Sequence, residues 1–453
     1  MTFVGRARRL DSHGTRALCR FGVLLALLVL LAGPGNTTSG RRVLAQAPSV
    51  PASADGGRPT VTRVPLPSVT GGFAIWGATG QDARGHIWFG VATAYTPVPS
   101  AHLIEYDPVT AKAIDRGNVV DELQRLGILR PGEHQAKIHS KIVPGPDGCL
   151  YFASMDEEGE NEDGSRPPTW GGHLWRLRVA TGRWEHLGAT TEALIAVAAG
   201  DRFVYALGYF GHVLYQYDTS TARLRRLEVG SVDGHISRNF FSDYRGHVYV
   251  PRLRAEAAGS GRKIAVSLVE FGPDLQQVAE TPIDADRYLR NDWATESHGI
   301  IAVQPMADRS IFFTTHRGYL YHVMPPPPSP SPDLPAQPAS SVARTASVAP
   351  VGWVHPDGPM YPPSLFTTDD GRTLFAVAQA PAGFQWLTCA LDHLPCRVVP
   401  LAVAGMDPAL LARAALYGSA TRDASGGHYV VGALPIPGGN LYDPLVLRIE
   451  PRP

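Results

Sequence analysis

The residues in this chain best suited to chemistry are histidines set at a recurring distance from an aromatic residue. His139, His235 and His298 lie 12, 14 and 14 residues before Tyr151, Tyr249 and Phe312, and each of these aromatics belongs to a short phrase that recurs along the sequence. Neutral imidazoles converging from different parts of a fold can ligate a divalent metal, so His139, His235 and His298 form a candidate metal set. The same groups suit proton transfer. A histidine base and a tyrosine acid, with an arginine neutralising a carboxylate, can remove the proton beside that carboxylate and expel an oxygen leaving group, which is β-elimination. His139, Tyr209, His235, Arg238 and His298 are the candidate catalytic residues on this reading. His212, Arg252, Arg254 and His316 are candidate substrate contacts beside them.

The recurring phrase is what must position these groups. A turn with Asp or Gly leads into alternating residues and an aromatic in DARGHIWFG (82 to 90), GPDGCLYFA (145 to 153), AGDRFVYAL (199 to 207), DYRGHVYVP (243 to 251), ADRSIFFTT (307 to 315), DDGRTLFAV (369 to 377) and ASGGHYVVG (424 to 432). The shared aromatics are Trp88, Tyr151, Tyr205, Tyr249, Phe312, Phe375 and Tyr429. Six intervals between the first and last give a period of about 57 residues, the size of a generous β-propeller blade. An apolar strand precedes each copy and a second hairpin follows it, as in LIEYDPVT (103 to 110) and LYQYDTST (214 to 221), so the expected fold is all-β: a seven-bladed β-propeller of four-stranded blades.

Ring closure is predicted from the two ends. Only LVLRIE (445 to 450) follows the last copy, while TVTRVPLPS (60 to 68) resembles an outer strand and has no blade of its own. Pairing the second into the last blade removes an exposed edge. Loops entering the inner strands share one face with the candidate histidines, and the chain spends its extra residues there, at 118 to 137, 283 to 297 and 406 to 416, the last with Asp407 and Pro408 as a helix cap and first turn. The acidic run MDEEGENEDGS (155 to 165) is read as a solvated loop on that face, since it lacks the spacing of a calcium loop.

Composition bounds the functions. The 453 residues carry 41 basic and 41 acidic side chains, and zero net charge argues against nucleic acid and anionic membranes as partners. Residues 1–47 read as an export leader, with Arg6, Arg8, Arg9, Arg16 and Arg20 ahead of a short apolar run from Phe21 to Ala32 and a small-x-small site at Ala45 to Ala47. Residues 48–57 are expected to be a flexible segment and 58–453 the propeller, a monomer in the periplasm or outside the cell with no membrane span once processed. The Pro-rich tract at 325–343 is expected to be a loop between the third and fourth strands of blade five. Cys389 and Cys396 flank a tight turn and suit a local disulfide, and Cys149 is read as a small buried apolar residue.

GPDGCLYF, ARGHIWFG and SHGII resemble repeats of the streptogramin lyases, seven-bladed propellers whose units join an H-G-I strand start to a G-P-D-G-x-L-W-F turn and strand. The resemblance implies that His298, in SHGI, and His235, in GHIS, take that family's active-site histidine position. In architecture and inferred site the chain also resembles secreted propeller polysaccharide lyases of the ulvan type, which use His, Tyr and Arg on uronate chains. Together these imply elimination on a uronate-containing glycan or a related ester or lactone, with a carbohydrate or small molecule as ligand and a divalent metal as the one cofactor to test. The competing expectation is a non-catalytic propeller that binds a glycan or protein.

Overall fold

The computed structural model describes residues 57–161, 165–209, 212–231, 237–258, 261–289, 299–327, 345–368, 370–381, 383–391, 393–437 and 441–451. The leader, His235, His298 and most of the Pro-rich tract lie outside them.

Seven antiparallel sheets follow one another along the chain as the blades of a β-propeller. Each recurring aromatic lies in the second strand of its blade: Ile87–Thr93, Leu150–Met155, Phe203–Gly208, Val248–Ala258, Ile311–Thr315, Thr373–Ala380 and His428–Pro435. Ile87–Thr93, Leu150–Met155 and His428–Pro435 are buried along their whole length, because neighbouring blades cover both faces of a sheet, and this explains their unbroken apolar runs. Outer strands such as Lys112–Asn118 and Arg223–Glu228 are polar and largely solvent-facing.

Closure occurs as the sequence predicts. Thr60–Arg63 pairs with Tyr442–Glu450 in the register Thr60 to Glu450 through Arg63 to Leu447, completing the last blade from the front of the ring. Cys389 and Cys396 are bonded across the hairpin of Gly383–Ala390 and His393–Pro400, and Cys149 is buried. The loop-rich face carries short helices at Val119–Arg125, Ala285–Tyr288 and Pro408–Ala412, the last capped by the Asp407 side chain accepting from the Ala409 amide.

In four of the seven copies the Asp turn and the aromatic form a lock. Trp88 Nε1 donates to Asp82 at 3.1 Å, Tyr151 Oη to Asp147 at 2.9 Å, Tyr249 Oη to Asp243 at 2.8 Å and Tyr429 Oη to Asp423 at 2.8 Å. In blade seven Asp423 also accepts from the Ser425 and Gly427 amides and from Arg448 Nε, so the buried carboxylate is fully satisfied. Burial alone would raise that carboxyl, but these donors, Arg448 foremost, outweigh it and hold it down to about 2. Tyr429→Phe removes one donor from a charged acceptor and is expected to cost about 1.5–3 kcal/mol in denaturant unfolding. Ligand binding should be unchanged, because these turns lie at the opposite end of the strands from the loop-rich face; an unshifted midpoint would show that the lock contributes nothing.

Candidate functional site

Inner strands of the ring are interrupted where chemistry is possible. In blade one the pairing breaks between Gly72–Ala74 and Thr79–Gln81, and in blade two between Lys137–Ile138 and Val143–Pro144. Trp76 and Gly77 lie in the first break, His139 and Lys141 in the second. Together with Arg238 and Asn239 of blade four, Ile301 to Val303 of blade five, Pro363 of blade six, and Tyr417, Gly418 and Ser419 of blade seven, they line one cavity on the ring axis. Glycine is required at 418: its φ is +83°, and a Cβ there would sit 1.4 Å from the Pro363 carbonyl oxygen.

His139 and Arg238, named from sequence and 99 residues apart, are in contact: the guanidinium Nη1 donates to His139 Nε2 at 3.2 Å. Arginine can only donate, so Nε2 carries the lone pair and Nδ1 the proton of a neutral ring. Burial, with the Arg238 and Lys137 cations adding to it, keeps the His139 imidazole well below its ordinary value, and burial pushes the Lys141 ammonium down to about 8. The Trp76 ring stacks on His139 with centroids 5.9 Å apart and lies 4.4 Å from Tyr417, and Lys137 Nζ sits 4.9 Å from the Trp76 centroid. Burial raises the Tyr417 phenol despite the opposing Arg238 charge, so it stays protonated. Trp76 Nε1 and Tyr417 Oη are buried without a hydrogen-bond partner among the described residues, while His139 is tied to the Ile195 backbone. Two unmatched groups that can donate, beside Lys141 and Arg238, suit a ligand that accepts hydrogen bonds and carries negative charge.

Trp76 and Tyr417 were missed in the sequence, yet a signal was present. Each lies 12 residues before its blade's aromatic, Trp88 and Tyr429, as His139 lies 12 before Tyr151. Tyr209 does not line the cavity: it packs against the apolar cluster of blades three and four, and its amide donates to the Ala193 carbonyl. His212 is fully buried in the second-to-third strand turn of blade three, where burial lowers it to about 4. Arg252 Nη2 donates to Gln277 at 2.7 Å and, with Arg254, lies within 3.5 Å of Glu280, an outer-strand ion-pair cluster. His316 packs on Tyr361 with ring centroids 4.7 Å apart. None of these four is a lining residue of the cavity.

Of the proposed metal set only His139 is described, and its Nε2 faces a guanidinium. Among the described residues two other groups gather enough donors for an ion, Asp82 with His86 and Glu105, and His134 with Asp156 and Glu158. Glu105 in the first is neutralised by Arg84 and Arg116 and hydrogen-bonded to the His86 ring. In the second, His134 bridges Asp156 at 2.7 Å and Glu158 at 3.0 Å, and Trp170 Nε1 donates to Glu158. Part of the acidic run is thus tied down by ion pairs rather than freely solvated, and Asp156 is buried.

No family model matches the chain and no curated protein matches it, so the likeness to streptogramin and ulvan lyases rests on the sequence phrases and the inferred site. Solved structures similar to it include the β-propeller domain of Myceliophteria thermophila Cps50 (Swd1), at 11% identity and TM-score 0.47, covering 84% of this chain and 97% of that one. The WD40 repeats of RRP9 are similar at 11% identity and TM-score 0.48, covering 87% and 99%. The extracellular domain of a hybrid two-component system from B. thetaiotaomicron is similar at 13% identity and TM-score 0.48, covering 87% of this chain and 40% of that one.

Proposed function

We propose that this is an exported propeller whose axial cavity binds a carboxylate and removes the proton beside it, a lyase acting on a uronate-containing glycan or a related ester or lactone. The observation that carries this reading is the cavity lining: Arg238, Lys141, His139 and Tyr417 border one space, and no carboxylate is among its described lining residues. A substrate carboxylate competes for Arg238, and as the guanidinium turns to it the Nε2 lone pair of His139 is released to act as base. In a uronate the proton leaves the carbon bearing the carboxylate, the bond from the next carbon to its oxygen breaks, and a carbon–carbon double bond forms. Tyr417 gives its proton to the departing oxygen. Arg238 and Lys141 hold the negative charge that develops on the carboxylate. Export accords with the arginine-led leader and with the Cys389–Cys396 bond, since disulfides persist in oxidising compartments.

The second reading, a carboxylate-binding propeller without turnover, uses the same Arg238 contact and differs in leaving the ligand intact. Turnover against pH separates them. A neutral His139 stays deprotonated well below pH 6.5, so the acid limb of kcat/KM should lie below that value. Lys141 loses its proton near pH 8, so activity should fall above that pH, and Lys141→Arg should move the alkaline limb upward. Binding without product at every pH would favour the second reading; an alkaline limb unmoved by Lys141→Arg would remove Lys141 from the site.

A further inference from the structure

We infer that the axial cavity holds one small inorganic anion, chloride or an ion of its size, beside Lys141 and Arg238. The inference goes beyond the lyase reading, since it stands whether or not a uronate is cleaved. Charge is the first reason. Both cations border the cavity, and no carboxylate is among its described lining residues. Lys141 forms no ion pair or hydrogen bond with a described residue, and Lys137, four residues earlier, is already paired with Glu157. An ammonium drawn out of water is unfavourable unless an opposite charge comes with it, and a mobile anion supplies one where the fold does not.

Donors are the second reason. Trp76 and Tyr417 border the same cavity, and their Nε1 and Oη have no hydrogen-bond partner among the described residues. Gly77 and Gly418 also lie at its edge, and their amides donate to no described acceptor. Four N–H and O–H donors on residues bordering one space, with two cations, suit an anion better than a water molecule, which also donates. Size is the third reason. The enclosed part of the cavity measures about 20 Å³, and one water needs about 10–15 Å³ on that scale. That holds one monatomic ion and excludes sulfate or phosphate with their four oxygens. A uronate has to send in its carboxylate alone and displace the ion, so under the lyase reading chloride competes with substrate.

The test is the chlorine NMR line width of sodium chloride with the protein at neutral pH, the ionic strength held constant with sodium gluconate. Exchange with the site should broaden the line, bromide should compete and sharpen it, and sulfate should not. Lys141→Met and Arg238→Ala should each weaken chloride roughly 30-fold, the usual cost of removing one member of a buried charge pair, so the excess width disappears at the same concentrations. An unbroadened line, broadening of equal size in both folded variants, or sulfate competing as well as bromide would overturn the anion site. Free galacturonate separates this inference from the lyase reading. A line that it sharpens supports one shared site, whereas a line that it leaves broad and that still depends on Lys141 keeps the ion in place and counts against the carboxylate reading alone.

Discussion

Replacing residues 58–68 by a Gly-Ser segment of equal length should lower the unfolding free energy by roughly 3–6 kcal/mol and make the protein aggregate on warming. Val61 and Val64 are 2% and 3% exposed, and burying a valine contributes about 1.5–3 kcal/mol. Their backbones also hold distant parts of the chain: the Val64 amide donates to the Val446 carbonyl, and the Val61 carbonyl accepts from Ala404. Without Thr60–Arg63, the strand Tyr442–Glu450 presents an unpaired apolar edge, with Val446, Leu447 and Ile449 fully buried beside it in the intact ring. Against a total stability of about 5–15 kcal/mol the loss is a large fraction. Denaturant unfolding and light scattering give the answer, and an unchanged midpoint with no aggregation would refute closure by this strand.

How much of this was legible in the sequence follows from which forces repeat. Four blade aromatics recur with their Asp turns because they make the same lock, while Tyr205 donates to the Gly246 carbonyl and Phe312 and Phe375 only pack, so Trp88, Tyr151, Tyr249 and Tyr429 announced the ring. The partners that complete the lock, such as Arg448 on the next strand, vary from blade to blade and left no pattern. At the site, His139 was legible because a residue at an inner-strand mouth is expected to face the axis, whereas Arg238 carried only its place on blade four, and the structure brings the two into contact. Tyr209, named from its second-to-third strand turn, packs against the apolar cluster of blades three and four, where an aromatic ring gains from burial. Trp76 and Tyr417 stand at the same 12-residue offset as His139, but an aromatic ahead of an apolar strand reads as core, so only the shared position marks them as neighbours of His139.

Arg238→Ala should weaken binding of a uronate on the order of 100-fold, about 3 kcal/mol, because it removes the guanidinium that can hold a carboxylate through two N–H bonds. Lys141, charged below about pH 8, keeps part of the attraction but not that geometry, and the neutral His139 supplies no charge. His139→Ala should behave differently: affinity changes little, while kcat falls by about 10²–10⁴, the usual contribution of a positioned base. Tyr417→Phe should likewise lower kcat more than it alters KM, with the effect smallest for substrates whose leaving oxygen needs no proton. If Arg238→Ala and His139→Ala both lowered affinity alone and left turnover per bound substrate untouched, the division of roles between the two would be wrong.

The most direct measurement is ultraviolet absorbance of new unsaturated uronate ends when the protein is incubated with short uronate oligomers, compared with His139→Ala and Arg238→Ala proteins of unchanged fold. A rise with the native chain that disappears in His139→Ala, and that Arg238→Ala recovers only at much higher substrate, is the predicted result. Absorbance that never rises for any uronate, or that rises equally in all three proteins, would contradict the assignment of elimination chemistry to the axial cavity.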